Sequence, residues 1–456
     1  MPIIYQIFLS FFFLFFAYLA HKDIKNGIYA VIFLLPIYLL RFTLSDIPTT
    51  ALEIIIYILF FLWLIKNRKN LDIRKSVSDF FRNDKILAVG TTLLFFGVIL
   101  STIHSSDLRT SLGVLKGWFV DPFLFFLVFI DVIKNQKQIV ILLRSLILSG
   151  FAVALVSIGY ALSDILTFDG RLRAIYESPN YLAMYLSPAF LFAVYLFIFQ
   201  KGPLLSFRTE VRNPSVEKNY YNVCLNAVKR FFFSPLSPQN NKKGQAIILL
   251  SLAVVLLLTK SYGAILGIAV ALFCFSLKRY QNRNTKLFSG YKKTLTALAV
   301  VALVLFSFLS FQKYEQLLNA GERSSLASRF MIWDASREML EDSPIFGIGP
   351  GTFQKTYLDY QSRFTVPYLE WAVPQPHNTL LAFYLQSGLI GLVGFVLILF
   401  WLCKRAKASD IVFIFLIYFL IHGLVDTLYW KNDLAMVFWL VVGVGFLDKK
   451  KFNSLN

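Results

Sequence analysis

HNTLLAFYLQSGLIGLVGFVLILFWL, residues 377–402, decides the fold. After its first two residues the stretch is apolar almost throughout, and it contains no Asp, Glu, Lys or Arg. A helix needs roughly 20 such residues to cross the ~30 Å hydrocarbon core of a bilayer, and no water-soluble helix has reason to be this uniform. Worked outward, the same reading recurs along the chain. Apolar segments are expected at 3–20, 27–43, 49–65, 85–103, 112–133, 138–162, 181–200, 245–259, 262–278, 294–311, 377–402, 410–426 and 431–447. The composition agrees: of 456 residues, 57% are hydrophobic and 16% charged, and Phe alone occurs 48 times. These values exclude a water-soluble enzyme, a disordered chain and a collagen-like fibre. The fold class is therefore all-α, a polytopic transmembrane helix bundle of 12 or 13 spans. The smaller number treats the first segment as peripheral. That segment lacks a basic start and a small-residue cleavage site, so it reads as a retained helix.

Charge orients the set. The net charge of +19 would suit a nucleic-acid binder, but the positions of the basic residues exclude nucleic acid as a partner. With the loop 66–85 on the cytoplasmic side, strict alternation puts 31 of the 45 Lys and Arg in cytoplasmic segments, as retention of positive charge there requires. Six regions follow: N-terminal spans in 1–200, a polar, Pro- and Asn-rich cytoplasmic insertion at 201–244, central spans in 245–311, an extracytoplasmic loop at 312–376, C-terminal spans in 377–447 and a basic tail at 448–456. The loop 312–376 has helical periodicity and reads as a small helical subdomain on the outer face.

The polar residues that a bilayer does not explain gather on that face. Residues 169–180, DGRLRAIYESPN, carry Arg171 and Arg173, and guanidinium groups grip phosphate oxygens in pairs. Asn180 suits both a helix N-cap and a ligand contact. Residues 328–353 set Arg329, Trp333 and Arg337 four apart on one helix face, followed by a turn with Gly347, Gly349 and Gly351. That turn has no preceding strand and no Lys, so it reads as structural rather than as a nucleotide loop. His377-Asn378 opens the decisive span, and an imidazole exchanges protons near neutral pH. Lys116, inside a span, and Lys260, at the tip of a short turn, would add positive charge to an outer anion site. His422 and Asp426, four apart, read as a buried structural pair. No metal-ligand cluster and no cofactor motif is present, so neither a metal nor a cofactor is expected.

In this order the clusters resemble the O-antigen ligase / O-antigen polymerase superfamily of bacterial envelope glycosyltransferases. The resemblance rests on Ser328-Arg329, Trp333, Pro344 and Gly347-x-Gly349-x-Gly351-x-Phe353, then His377-Asn378 and Gly388-x-x-Gly391, with Arg171-x-x-Ala174-x-Tyr176-x-x-Pro179-Asn180 upstream. It covers roughly residues 170–402. Three positions depart from the family's habit: Ala174 stands where Gly is common, Tyr262 where Arg is usual, and Gln386 where Glu is usual. The resemblance implies a GT-C-like fold in the cytoplasmic (inner) membrane with its active site on the extracytoplasmic side. It also implies metal-independent transfer of a glycan from a polyprenyl-pyrophosphate carrier to a hydroxyl of a lipid, glycan or protein acceptor. His377 and Arg329 would be catalytic, and Arg171, Arg173, Lys116 and Lys260 would bind pyrophosphate. Asn180, Trp333, Gly347, Gly349, Gly351 and Asn378 would shape the site. A polysaccharide polymerase of the same superfamily, a transporter or flippase of envelope precursors, and a catalytically silent scaffold remain alternatives.

Overall fold

The structure is a computed structural model that describes residues 3–44, 47–67, 82, 84–199, 242–281, 325–361, 363 and 373–452. The span expected at 294–311 and nearly all of the insertion expected at 201–244 lie outside these residues. The described chain is a helix bundle. Its helices are α1 (Ile3–Lys22), α2 (Ile24–Phe33), α3 (Ala51–Asn67), α4 (Lys85–Ile103), α5 (Leu108–Val114), α6 (Asp121–Val132), α7 (Gln136–Leu162), α8 (Pro179–Phe199), α9 (Lys242–Leu258), α10 (Tyr262–Gln281), α11 (Ser325–Asp342), α12 (Phe353–Gln361), α13 (Thr379–Ala406), α14 (Asp410–Gly423) and α15 (Asn432–Phe452). Among the described residues, seven runs are long and apolar enough to cross a membrane, including α4, α7, α8 and α13. The protein is a multi-pass membrane protein.

One expected span takes a different form. Residues 27–43 form the second part of α2, a 3-10 turn at Leu35–Leu39 and a strand, β1 (Arg41–Leu44). At ten residues α2 is only ~15 Å long. Pro36 has no N–H to carry the helix on, and β1 instead pairs antiparallel with β2 (Ile47–Thr50), Arg41 opposite Thr50. The apolar composition of this stretch hid the break.

The core centres on α15, which is buried on every side from Leu434 to Leu447, as a helix apolar all round must be. Aromatic rings knit it to its neighbours: Phe438 lies 5.6 Å from Phe395 of α13 and 5.4 Å from Phe419 of α14. The most extensive helix pairing is α4 with α13. Here backbone meets backbone. A Cβ on Gly97 would stand 2.1 Å from the Gly391 nitrogen, and one on Gly394 would stand 2.3 Å from the Leu94 nitrogen. Small residues permit this approach, the usual route to tight helix contact in lipid.

Two of the long runs are interrupted, and each interruption is satisfied by another part of the chain. Between α5 and α6 the backbone is π-helical over Leu115–Val120. Pro122 cannot donate to the Trp118 carbonyl four residues earlier, and the Tyr429 hydroxyl donates to it instead at 2.8 Å. In α13 the helix breaks at Gly388 (φ 67°, ψ −179°). The Leu389 N–H would normally bond the Leu385 carbonyl. It donates to the Ile345 carbonyl at 2.9 Å, while the Ile348 N–H donates to Leu385 at 2.7 Å. The segment 345–348 thus inserts into a single helical hydrogen bond. A Cβ on Gly347 (φ +68°) would meet the Leu385 oxygen at 2.2 Å, so only glycine fits there. The His104 ring stacks on Phe346 with centroids 3.8 Å apart, which pins the inserted segment to the end of α4.

Candidate functional site

The α13 break is close to the candidate site, and Gln386 links the two. Its Oε1 accepts from the Gly351 N–H at 2.8 Å and its Nε2 donates to Gln375 Oε1 at 2.7 Å. The amide therefore clamps the Gly turn to the segment leading into His377. A carboxylate at this position could keep the first bond but has no N–H to donate to Gln375 Oε1, which is what the amide of Gln386 supplies. Trp333 of α11 reinforces the same segment, its Nε1–H donating to the Pro376 carbonyl at 3.0 Å.

His377 follows with φ +50°, a conformation that costs a non-glycine residue free energy and tends to persist where function requires it. Its Nδ1 lies 3.0 Å from Asp426 Oδ1. Asn378 then caps α13, Oδ1 accepting from the Leu381 N–H at 3.0 Å, while its Nδ2 donates to the Leu424 carbonyl at 3.1 Å. Thr379 Oγ1 donates to the Asp426 carbonyl at 2.9 Å. These bonds lock the turn 424–426 against the start of α13. Asp426 lies beyond the end of α14. Burial alone would raise its pKa, but hydrogen bonds from His377 and His422 outweigh burial and hold the carboxyl well below the usual carboxylate range. An ionised carboxylate can only accept, so it takes the Nδ1–H of His377, and in the neutral ring Nε2 is then the free lone pair.

Arg329 reaches this turn directly, and Arg171 stands within electrostatic range of its Asp426. Arg329 Nε donates to the Val425 carbonyl at 3.3 Å. Arg171 Nε donates to the Thr259 carbonyl at 2.9 Å, and its Nη2 donates to Asn180 Oδ1 at 2.5 Å. Burial lowers the Arg171 pKa, Asp169, Asp426 and Tyr262 oppose that shift, and Arg329 adds to it. Arg171, Arg329, Asp426 and Tyr262 are therefore electrostatic neighbours. Lys260 (φ +48°), in the α9–α10 turn, lies against the start of the Arg171 loop, since a Cβ on Gly170 would lie 3.5 Å from its Nζ.

Residues 246–396 match the O-Antigen ligase family. The match supports the O-antigen ligase superfamily and, with the apolar helices, a ligase- or polymerase-like role in processing glycans at a membrane. No curated protein matches the chain. The O-antigen ligase match spans Tyr262, Arg329, the Gly turn and His377, but Arg171 and Asp426 lie outside it and meet those residues only through the fold.

The other sequence-singled residues are dispersed. Asn180 is not the N-cap of α8: the Ser178 hydroxyl accepts from the Tyr181 N–H at 3.3 Å, which leaves Asn180 to hold Arg171. Ala174 has φ +48°, which explains why a glycine would be at ease there. Arg173 is exposed. Gly349 and Gly351 both take positive φ against α4 and α5. Lys116 faces α3, its Nζ 2.8 Å from Glu53 Oε2 and 2.8 Å from the Pro48 carbonyl, so its charge already has a counter-ion. Lys116→Met should therefore cost stability, ~3 kcal/mol by the usual penalty for breaking a buried pair, and adding Glu53→Gln should recover most of it. Thermal unfolding of the detergent-solubilised single and double variants measures this. A double variant as unstable as the single one would contradict the pairing.

The residue that sequence reasoning missed as a partner is Asp426. The i, i+4 spacing to His422 was legible, but the contact with His377, 49 positions away, was not.

Proposed function

We propose that the protein transfers a glycan from a polyprenyl-pyrophosphate carrier to an acceptor hydroxyl at the extracytoplasmic face of the cytoplasmic membrane, as an O-antigen ligase does. The observation that carries this reading is the imidazole of His377 held by Asp426, a carboxylate within electrostatic range of Arg171 and next in sequence to the carbonyl that Arg329 binds. In the reaction, the acceptor oxygen bonds to the anomeric carbon as the bond from that carbon to the pyrophosphate oxygen breaks. His377 Nε2 takes the hydroxyl proton, with Asp426 stabilising the imidazolium that forms. The pyrophosphate leaves with the bonding electron pair, and Arg171, Arg329 and Lys260 stabilise the added charge. Exposed Arg173 serves incoming donor headgroups. Lys116, committed to Glu53, serves the fold. Membrane lipids surround the site and the donor enters sideways from them.

Metal-independence is part of the proposal. The test is transfer by purified protein from a carrier-linked oligosaccharide to candidate acceptors, with and without EDTA. Transfer that survives EDTA is expected, and its loss with recovery on adding Mg2+ would overturn the metal-free mechanism. The acceptor separates ligase from polymerase: cells lacking a ligase strand full-length chains on the carrier, whereas cells lacking a polymerase display single repeats.

A further inference from the structure

The carboxylate that holds His377 has a second oxygen, and a second imidazole holds it. His422 is wholly buried in α14, where between Ile411 and Ile421 only Tyr418 carries a polar group. Its Nε2 lies 3.3 Å from Asp426 Oδ2 and its Nδ1 lies 2.8 Å from the Tyr418 hydroxyl. A buried polar ring is tolerated only when both nitrogens find partners, and here both do. Asp426 can only accept, so Nε2 carries the proton, and Tyr418 O–H donates to the bare Nδ1. The ring is also boxed in. A Cβ on Gly263 would stand 2.8 Å from His422 Cδ2, and one on Gly267 would stand 3.2 Å from His422 Cβ. The glycine after Tyr262 thus clears space for this imidazole, which fixes both its position and its tautomer.

We propose that His422 is a positioning residue that, by donating to the second oxygen of Asp426, sets the pH at which His377 accepts a proton. The inference rests on His377 being the base. A hydrogen bond donated to one carboxylate oxygen spreads its charge and weakens its hold on a proton at the other. With His422 in place, the charge of Asp426 is shared between two imidazole donors while it orients His377. Without it, the full carboxylate charge faces His377, which stays protonated and unable to act as base until the pH is higher. The other charged and titratable groups facing this pair are Arg329 from α11, Arg171 from the loop before α8, Tyr181 of α8, Tyr262 of α10 and Tyr418 of α14. Of these only Tyr418, which loses its bond to the His422 ring, is touched by substituting His422.

The experiment is the pH profile of transfer in His422→Phe and His422→Gln. Phe keeps the ring and removes the donor, whereas Gln restores an N–H near the Nε2 position. In His422→Phe the acid limb should move up by about one pH unit, the scale of a charge effect at contact distance, and in His422→Gln it should return toward the wild-type position. His422→Leu, which also lacks the donor, provides a second variant should His422→Phe fail to accumulate, and its limb should move in the same direction. An acid limb that stays in place while the rate falls equally at every pH would make His422 a packing residue only and overturn the proposal. Normal transfer by His377→Ala would overturn the functional reading as well, so the two failures are distinguishable.

Discussion

Replacing His377 with Asn should reduce glycan transfer by ~10²–10⁴-fold, the range for removing a general base. Asn is the informative substitute because it tolerates the positive φ that this position adopts, so the backbone strain changes little. Asp426 would not be left a bare buried anion, since His422 still donates to its other oxygen. The folded state should therefore survive with a loss of less than ~2 kcal/mol, comparable to one charge-assisted hydrogen bond. Initial rates of transfer and thermal unfolding, measured on the same preparation, separate the two effects. A variant with near wild-type rate would remove His377 from the chemistry. One that fails to fold would show that the imidazole is chiefly structural.

A different failure is expected from Gly97→Val. The substituent's first carbon would stand 2.1 Å from the Gly391 nitrogen and 2.5 Å from its Cα, and backbone cannot swing aside as a side-chain tip can. Helices α4 and α13 would have to separate, with a cost at or beyond the ~3 kcal/mol end of overpacking penalties. The consequence reaches the site, because α13 carries the break into which residues 345–348 insert, and His377 opens the same helix. Gly113→Val is the control: a Cβ there meets nothing within 4 Å. Size-exclusion profiles and unfolding temperatures of the two variants should diverge sharply. Equal behaviour would mean that the close crossing is not what holds the bundle.

Much of the fold could be read along the chain, because hydrocarbon imposes a local rule. Each run such as 138–162 must satisfy its own backbone, so composition over twenty residues suffices to place a helix. The rule fails where another part of the molecule satisfies the backbone instead. At Pro36 a β-hairpin takes over, at Trp118 a tyrosine hydroxyl does, and at Gly388 an inserted loop does. The tyrosine and the inserted loop are remote in sequence from the breaks they repair.

The candidate site divides along the same line. Its chemical inventory, arginines 171 and 329, lysine 260 and histidine 377, stands out in sequence because charge and imidazole beside apolar spans need a reason. Which of them act together does not stand out. Lys116 looked like a member and is tied to Glu53, while Asp426 looked like a local partner of His422 and also grips His377. Residue type and hydropathy are properties of short stretches, whereas a hydrogen bond between positions 377 and 426 exists only after α13 and α14 have packed. The chain's order told us what the molecule is made of and in which solvent it sits, and the long-range packing chose which charges meet.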